Sequence, residues 1–139
     1  IPSVIEPAGG LTRTFFAILL DAYSKEEVNG EIRTVLKINK YLSPIQVAIL
    51  PLSKKDSLIE VAEEINSNLI SHYSTEIDLT QSIGKRYRRQ DEIGTPYCLT
   101  IDFDSLEDNM VTIRDRDTMA QERVAISNIL EVLKEKYNS

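Results

Sequence analysis

Tryptophan is absent from the 139 residues, cysteine and histidine occur once each, and aromatic side chains make up only 6%. A lone cysteine, Cys98, excludes an internal disulfide and fits a reducing compartment, so a cytoplasmic location is expected. With one histidine, His72, and one cysteine, the usual zinc and iron–sulfur ligand sets cannot be assembled, and no metal site is expected. Long apolar runs are also missing. The longest, Phe15 to Leu20, is six residues, against about 20 needed to span a bilayer. No basic leader with an apolar core opens the chain. It begins at Ile1 rather than methionine, so we expect a piece of something longer. What remains is ordinary: 42% hydrophobic and 27% charged residues exclude intrinsic disorder and describe one compact domain with a short appendage.

The 16 basic and 22 acidic residues give a net charge of −6, which disfavours a nonspecific nucleic-acid binder. The charge is unevenly placed. Ser53 to Asp78 holds two lysines against six acids, whereas Lys85, Arg86, Arg88 and Arg89 fall within five positions, and Arg114 and Arg116 follow. An acidic body with a local basic patch suits a partner touched at one place.

Three zones are readable. In residues 1–23 an extended run, Pro2 to Pro7, and an Ala8-Gly9-Gly10 turn precede a helical pattern from Leu11 to Tyr23. Its two apolar stripes, Leu11/Phe15/Leu19/Ala22 and Phe16/Leu20/Tyr23, predict burial on more than one side. Residues 24–44 form a connector with an Asn29-Gly30 turn signal and an extended piece over 32–38. Residues 45–139 alternate strand and helix patterns. Strands are expected at 46–50, 75–79, 97–103, 110–114 and 123–125, with helices from 57 to about 72, from 82 to about 93, and over the last dozen residues. Ser57-Leu58-Ile59-Glu60 reads as a capping box, Gly94 and Pro96 stop the second helix, and Asp104 to Asn109 reads as a polar hairpin loop. Two strand–helix–strand crossovers followed by a hairpin predict an α/β fold: a mixed, mainly parallel five-stranded sheet flanked by helices.

Candidate chemistry is sparse. Neither the dinucleotide nor the P-loop glycine spacing follows Gly9-Gly10, although Arg13 beside a helix N-terminus could hold an anion. Cys98 reads as a buried strand residue and His72 as a helix-end or surface residue. Glu107 and Asp108 read as turn residues rather than an acid–base pair. The segment Lys85-Arg86-Tyr87-Arg88-Arg89 is more informative, because arginine offers bidentate contact to phosphate and tyrosine can stack on an unpaired base. The alternative is a solvated helix whose Arg88 and Arg89 pair with Glu92 or Asp91. Arg114 and Arg116 share one strand face and either meet RNA or pair with neighbouring acids.

Several separated runs, in order, resemble the class II aminoacyl-tRNA synthetases, and most closely the homodimeric glycyl type. Ile1 to Pro7 with Gly10-Leu11-Thr12-Arg13-Thr14 is similar to that family's motif 3. Ala48-Ile49-Leu50-Pro51-Leu52-Ser53, Ser82 to Tyr87, Asp91 to Tyr97, and Thr112 to Asp117 are similar to its C-terminal anticodon-binding domain. The resemblance implies a motif 3 strand and helix over 1–23, a connector over 24–44, and an anticodon-binding domain over 45–139. It implies that Arg13 meets the γ-phosphate of ATP, that Glu6 meets the amino group of glycine, and that the whole enzyme uses ATP and Mg2+ as a homodimer. Ala8 stands where the family usually has serine. Motifs 1 and 2 are absent, so this chain alone is not expected to aminoacylate. The implied partner is the anticodon stem-loop of glycine tRNA, with contacts at Thr80, Gln81, Lys85, Arg86, Arg88, Arg89, Arg114 and Arg116. Self-association through residues 11–23 is a further expectation. A threonyl-, prolyl- or histidyl-type synthetase domain, or a noncatalytic polymerase accessory subunit of the same fold, are the competing readings.

Overall fold

The computed structural model describes residues 2–139. After an irregular stretch, helix α1 (Leu11–Ala22) runs without a loop into strand β1 (Tyr23–Val28), which pairs antiparallel with β2 (Glu31–Leu36). Asn29 and Gly30 both have positive φ, 52° and 78°, the geometry of the tight hairpin turn that an Asn-Gly pair favours. The connector is therefore a two-stranded hairpin rather than one extended piece. The main body follows: β3 (Val47–Pro51), α2 (Asp56–Leu69), β4 (Thr75–Ile77), α3 (Ile83–Ile93), β5 (Tyr97–Ile101), a single-turn α4 (Ser105–Asp108), β6 (Met110–Asp115), β7 (Gln121–Ala125) and α5 (Ile129–Asn138).

The five-stranded sheet has the order β4-β3-β5-β6-β7. The two junctions of β3 are parallel and the two after β5 are antiparallel, so the sheet is mixed. β3 and β5 are buried along their whole length, which explains their uninterrupted apolar runs. Period-two alternation sends Val47, Ile49, Leu99, Ile101, Val111 and Ile113 to one face, where Leu58, Ala62, Ile65 and Leu69 of α2 and Ile129, Leu133 and Tyr137 of α5 close the apolar core. The opposite face carries Ala48, Leu50 and Cys98, with Ile83 and Tyr87 of α3 packed on it. Burial pushes the Cys98 thiol up to about 12, which leaves it inert.

The outer strands differ from the middle. β4 is three residues long, and Gln121, Glu122 and Arg123 of β7 are exposed. At the sheet's other end, Lys40 Nζ and Tyr41 Oη donate to the carbonyls of Lys136 and Tyr137, both at 2.6 Å, and so cap the last turn of α5.

Three local expectations need correction. Ser57 lies inside α2, not at its cap; the cap residue is Lys55, and the Ser57 hydroxyl finds no partner. The loop after β5 is not an open hairpin turn, because Asp102 accepts from the Ser105 amide at 2.9 Å and hydroxyl at 2.8 Å and winds the chain into α4. The apolar α1 is not buried on several sides either. Only its Ala22 is buried, and Phe15 and Phe16 are more than half exposed.

Gly94 ends α3 at φ 85°, and a Cβ there would stand 2.8 Å from Ile38 Cγ2 and 2.9 Å from the Leu36 carbonyl oxygen. Strain and clash act together, so Gly94→Ala is expected to lower stability by more than about 1 kcal/mol in urea melts. An unchanged midpoint would contradict this packing.

Candidate nucleic-acid interface

Helix α3 crosses the sheet face that carries Ala48, Leu50 and Cys98, and its basic residues part company there. Arg86 is buried. Its Nη1 donates to the carbonyls of Pro51 at 2.6 Å and Asp78 at 2.9 Å, tying the ends of β3 and β4 together, and burial pulls its pKa below the ordinary value. Arg114 is also buried and donates from both terminal nitrogens to the Asp91 carboxylate, at 2.9 and 3.1 Å. Arg116 gives Nη1 to the carbonyls of Ile38 (2.9 Å) and Gly94 (2.8 Å) and pairs with Asp117. The expectation that these three guanidinium groups face outward is therefore corrected. Each donates instead to carbonyls or a carboxylate inside the protein.

The remaining basic residues of α3 do reach solvent. Lys85 is exposed, Arg88 is exposed and pairs with Glu31 on the hairpin, and Arg89 donates to Asp78 at 2.5 Å while remaining partly exposed. Neither arginine pairs with Glu92 or Asp91, the helix acids expected from spacing; Asp91 is engaged by Arg33 and Arg114 instead. Thr80 and Gln81 are exposed in the loop before α3, where Gln81 has φ 68°. Asp78, buried beneath that loop, accepts from the Thr80 amide at 2.9 Å and hydroxyl at 2.7 Å. Burial opposes the charge of Asp78, but the Thr80 donors and Arg89 outweigh it and hold the carboxyl below its usual range.

The hairpin contributes a residue that spacing did not single out. Arg33 gives Nε to Asp91 at 2.9 Å, Nη1 to Glu26 at 2.8 Å and Nη2 to the Arg116 carbonyl at 2.5 Å. Burial opposes its charge, yet the bonds to Asp91 and Glu26 raise its pKa. Glu26 also pairs with Lys37. One carboxylate, Asp91, thus joins the hairpin, α3 and β6. Between the hairpin turn and α3 lies an open cleft of about 390 Å³, lined by Ile32, Arg33, Tyr87, Arg88, Asp91 and Arg114 among others. The Tyr87 ring carries the Arg114 guanidinium at 4.8 Å, and its hydroxyl bonds to the Thr100 hydroxyl. Arg33, Arg114 and Asp91 are bonded to one another in this cavity, which leaves Arg88 as its exposed cation and Tyr87 as its aromatic side chain.

Glu6 and Arg13 lie apart from this cleft. Every residue from 2 to 17 is exposed, so the two side chains are enclosed by nothing in this chain.

A family model described as an anticodon binding domain matches residues 46–136. The glycine–tRNA ligase of Cutibacterium acnes is 52% identical over 138 residues, covering 96% of this chain. That of Clostridium acetobutylicum is 54% identical over 137 residues, covering 98%. This chain spans 29% of the length of each of these relatives. Among solved structures, a prolyl-tRNA synthetase from Cryptosporidium parvum, complexed with L-proline and AMP, matches at a TM-score of 0.67 and 21% identity. The match covers 74% of this chain and 23% of that one, and it shows a shared fold.

Two outcomes follow from the buried charges. Asp91→Ala strands Arg33 and Arg114, and a loss of about 3–5 kcal/mol in urea unfolding is expected; a loss under about 1 kcal/mol would refute the joint. Asp78 contributes stability that is full above its unfolded pKa near ~4 and is lost as pH falls through the lower folded value. The stability gap between wild type and Asp78→Asn should therefore narrow between pH 5 and pH 3. A gap constant over that window would exclude the effect.

Proposed function

The chain belongs to the anticodon-binding-domain family, and from that premise we propose that it is the C-terminal part of a cytoplasmic glycine–tRNA ligase, its own task being to grip the anticodon arm of glycine tRNA. The observation that carries this reading is the cleft between the hairpin and α3. An unstacked loop base entering it meets the exposed Arg88 and the Tyr87 side chain, over a floor that Arg33, Arg114 and Asp91 hold by bonding to one another. Along the rim, Lys85, Arg88 and Arg89 are placed for phosphates, with Thr80 and Gln81 in the adjoining loop. Arg86, Arg114 and Arg116 act mainly by holding this frame.

The net charge of −6 also supports a local grip. Overall electrostatics repel a polyanion, so affinity must come from the few outward cations together with the cleft. Glu31, which covers Arg88 in the free chain, is displaced by phosphate in this reading.

The parent enzyme, a homodimer, attaches glycine to tRNA using ATP and Mg2+, with Glu6 and Arg13 contributing to that distant site. ATP supplies the activation of the amino acid's carboxyl group. In this chain the two residues stand exposed without walls around them, which supports inactivity of the chain alone and gives no step to derive. The exposed Leu11, Phe15, Phe16 and Leu20 of α1 support self-association when no other surface covers them.

Fluorescence anisotropy with a labelled glycine-tRNA anticodon stem-loop tests the reading. Binding should weaken steeply with salt, and Arg88→Ala should reduce both the affinity and the magnitude of the log–log salt slope by about one contact. Equal affinity for stem-loops with scrambled anticodons would defeat the specificity claim. Size-exclusion should show concentration-dependent association that Phe15→Ser with Phe16→Ser abolishes.

A further inference from the structure

A groove of about 480 Å³ runs between α2 and the start of α5, on the sheet face away from α3. Val61, Ile65 and Leu69 line one wall, repeating every four residues over roughly 12 Å of helix. Ile126, Ile129 and Leu130 line the other. One end is fixed where the Ile126 amide donates to the Asn109 carbonyl at 2.9 Å. Val61, Ile126 and Leu130 remain partly exposed, so apolar side chains face solvent inside a concavity.

The rim of this groove is acidic. Helix α2 carries Asp56, Glu60, Glu63 and Glu64 and no basic residue. Glu64 lines the groove, and Glu60 lies one turn before it on the same side of the helix. Across the groove, Glu131 follows Ser127, another lining residue, by one turn. Glu60, Glu64 and Glu131 are exposed, and none of them makes an ion pair among the described residues. Lys134, one turn beyond Leu130, offsets one of the three charges. Such a rim repels the phosphates of RNA and of anionic lipid headgroups. A second copy of this chain would offer the apolar α1, but there Asp21 balances Arg13 and no net positive charge reaches the rim.

We propose that this groove docks a basic amphipathic helix of a partner protein. Apolar side chains spaced i, i+3 or i+4, and i+7 on that helix fill the groove, and its lysines or arginines face Glu60, Glu64 and Glu131. Two turns of helix match the length of the α2 wall. This surface is independent of the RNA-binding reading: it lies across the sheet from the cleft, so a chain engaged there keeps the groove open.

Fluorescence anisotropy with a labelled synthetic helix, leucines at those spacings and lysines elsewhere, tests the groove. The lysine helix should bind saturably, and the same helix with glutamate in place of lysine should not. Glu60→Lys with Glu64→Lys should weaken binding by roughly tenfold. Glu27→Lys with Glu92→Lys makes the same change of net charge at exposed positions on the hairpin and α3, and should alter binding by less than about twofold. Asn68→Trp sets a single indole at the groove's edge in a chain without tryptophan, and its emission should shift to the blue as the lysine helix binds. Thermal melts check that these exposed substitutions leave the fold intact. Absence of binding to the wild-type chain would overturn the site. So would equal weakening by the two pairs of substitutions, which would mean attraction to the acidic body as a whole. An indole shift driven by the chain's own concentration, and abolished by Phe15→Ser with Phe16→Ser, would assign the groove to a second copy and overturn the proposal as well.

Discussion

The Asp91 carboxylate is the joint on which the polar half of the molecule depends. It is buried, accepts two bonds from Arg114 and one from Arg33, and so fastens a strand, a helix and a hairpin at one point. Removing three charges from water is costly, and the arrangement persists because nearly every donor has an acceptor: Glu26 and the Arg116 carbonyl take the rest of Arg33. The cluster of Asp91, Glu26, Arg33, Arg114 and Lys37 carries one more positive than negative charge, which leaves the adjoining cleft cationic inside an acidic protein.

The two sides of the sheet have different duties. On one, α2 and α5 cover a continuous apolar layer from Val47 to Tyr137, where stability comes from area removed from water. On the other, α3 lies over a smaller apolar cluster of Ala48, Leu50 and Cys98, beside which Asp91, Arg33 and Arg114 pair. Rigidity there comes from directional bonds.

Much of this was legible from periodicity. The apolar runs at 47–51 and 97–101, the helical stripe behind Leu58 and the stop at Gly94 each reported a single strong constraint: full burial, one covered face, a left-handed cap. The hairpin's first strand was not legible, because Ser24-Lys25-Glu26-Glu27 carries little strand preference and is held by the Asn29-Gly30 turn and by its partner. Ser57 and Glu60 have capping-box spacing, yet the cap is Lys55, two residues earlier. Alternation predicts Arg114 and Arg116 on one face, but β6 ends at Asp115, and whether either guanidinium meets water or protein is decided by the sheet's neighbours. Arg33 gave no signal, since its role exists only once Asp91 lies 58 positions away in sequence and in contact in space.

The outer strands have a bearing on behaviour at high concentration. A foreign strand seeking to extend the sheet finds only three residues of ladder at β4. At β7 it meets Gln121, Glu122 and Arg123, with Lys136 bound to Glu122 at 2.6 Å. So brief a template on one flank, and so charged a one on the other, give little purchase to amyloid-like polymerisation. The middle strands, whose sequences are the most prone to it, are sealed between their neighbours as long as the domain stays folded.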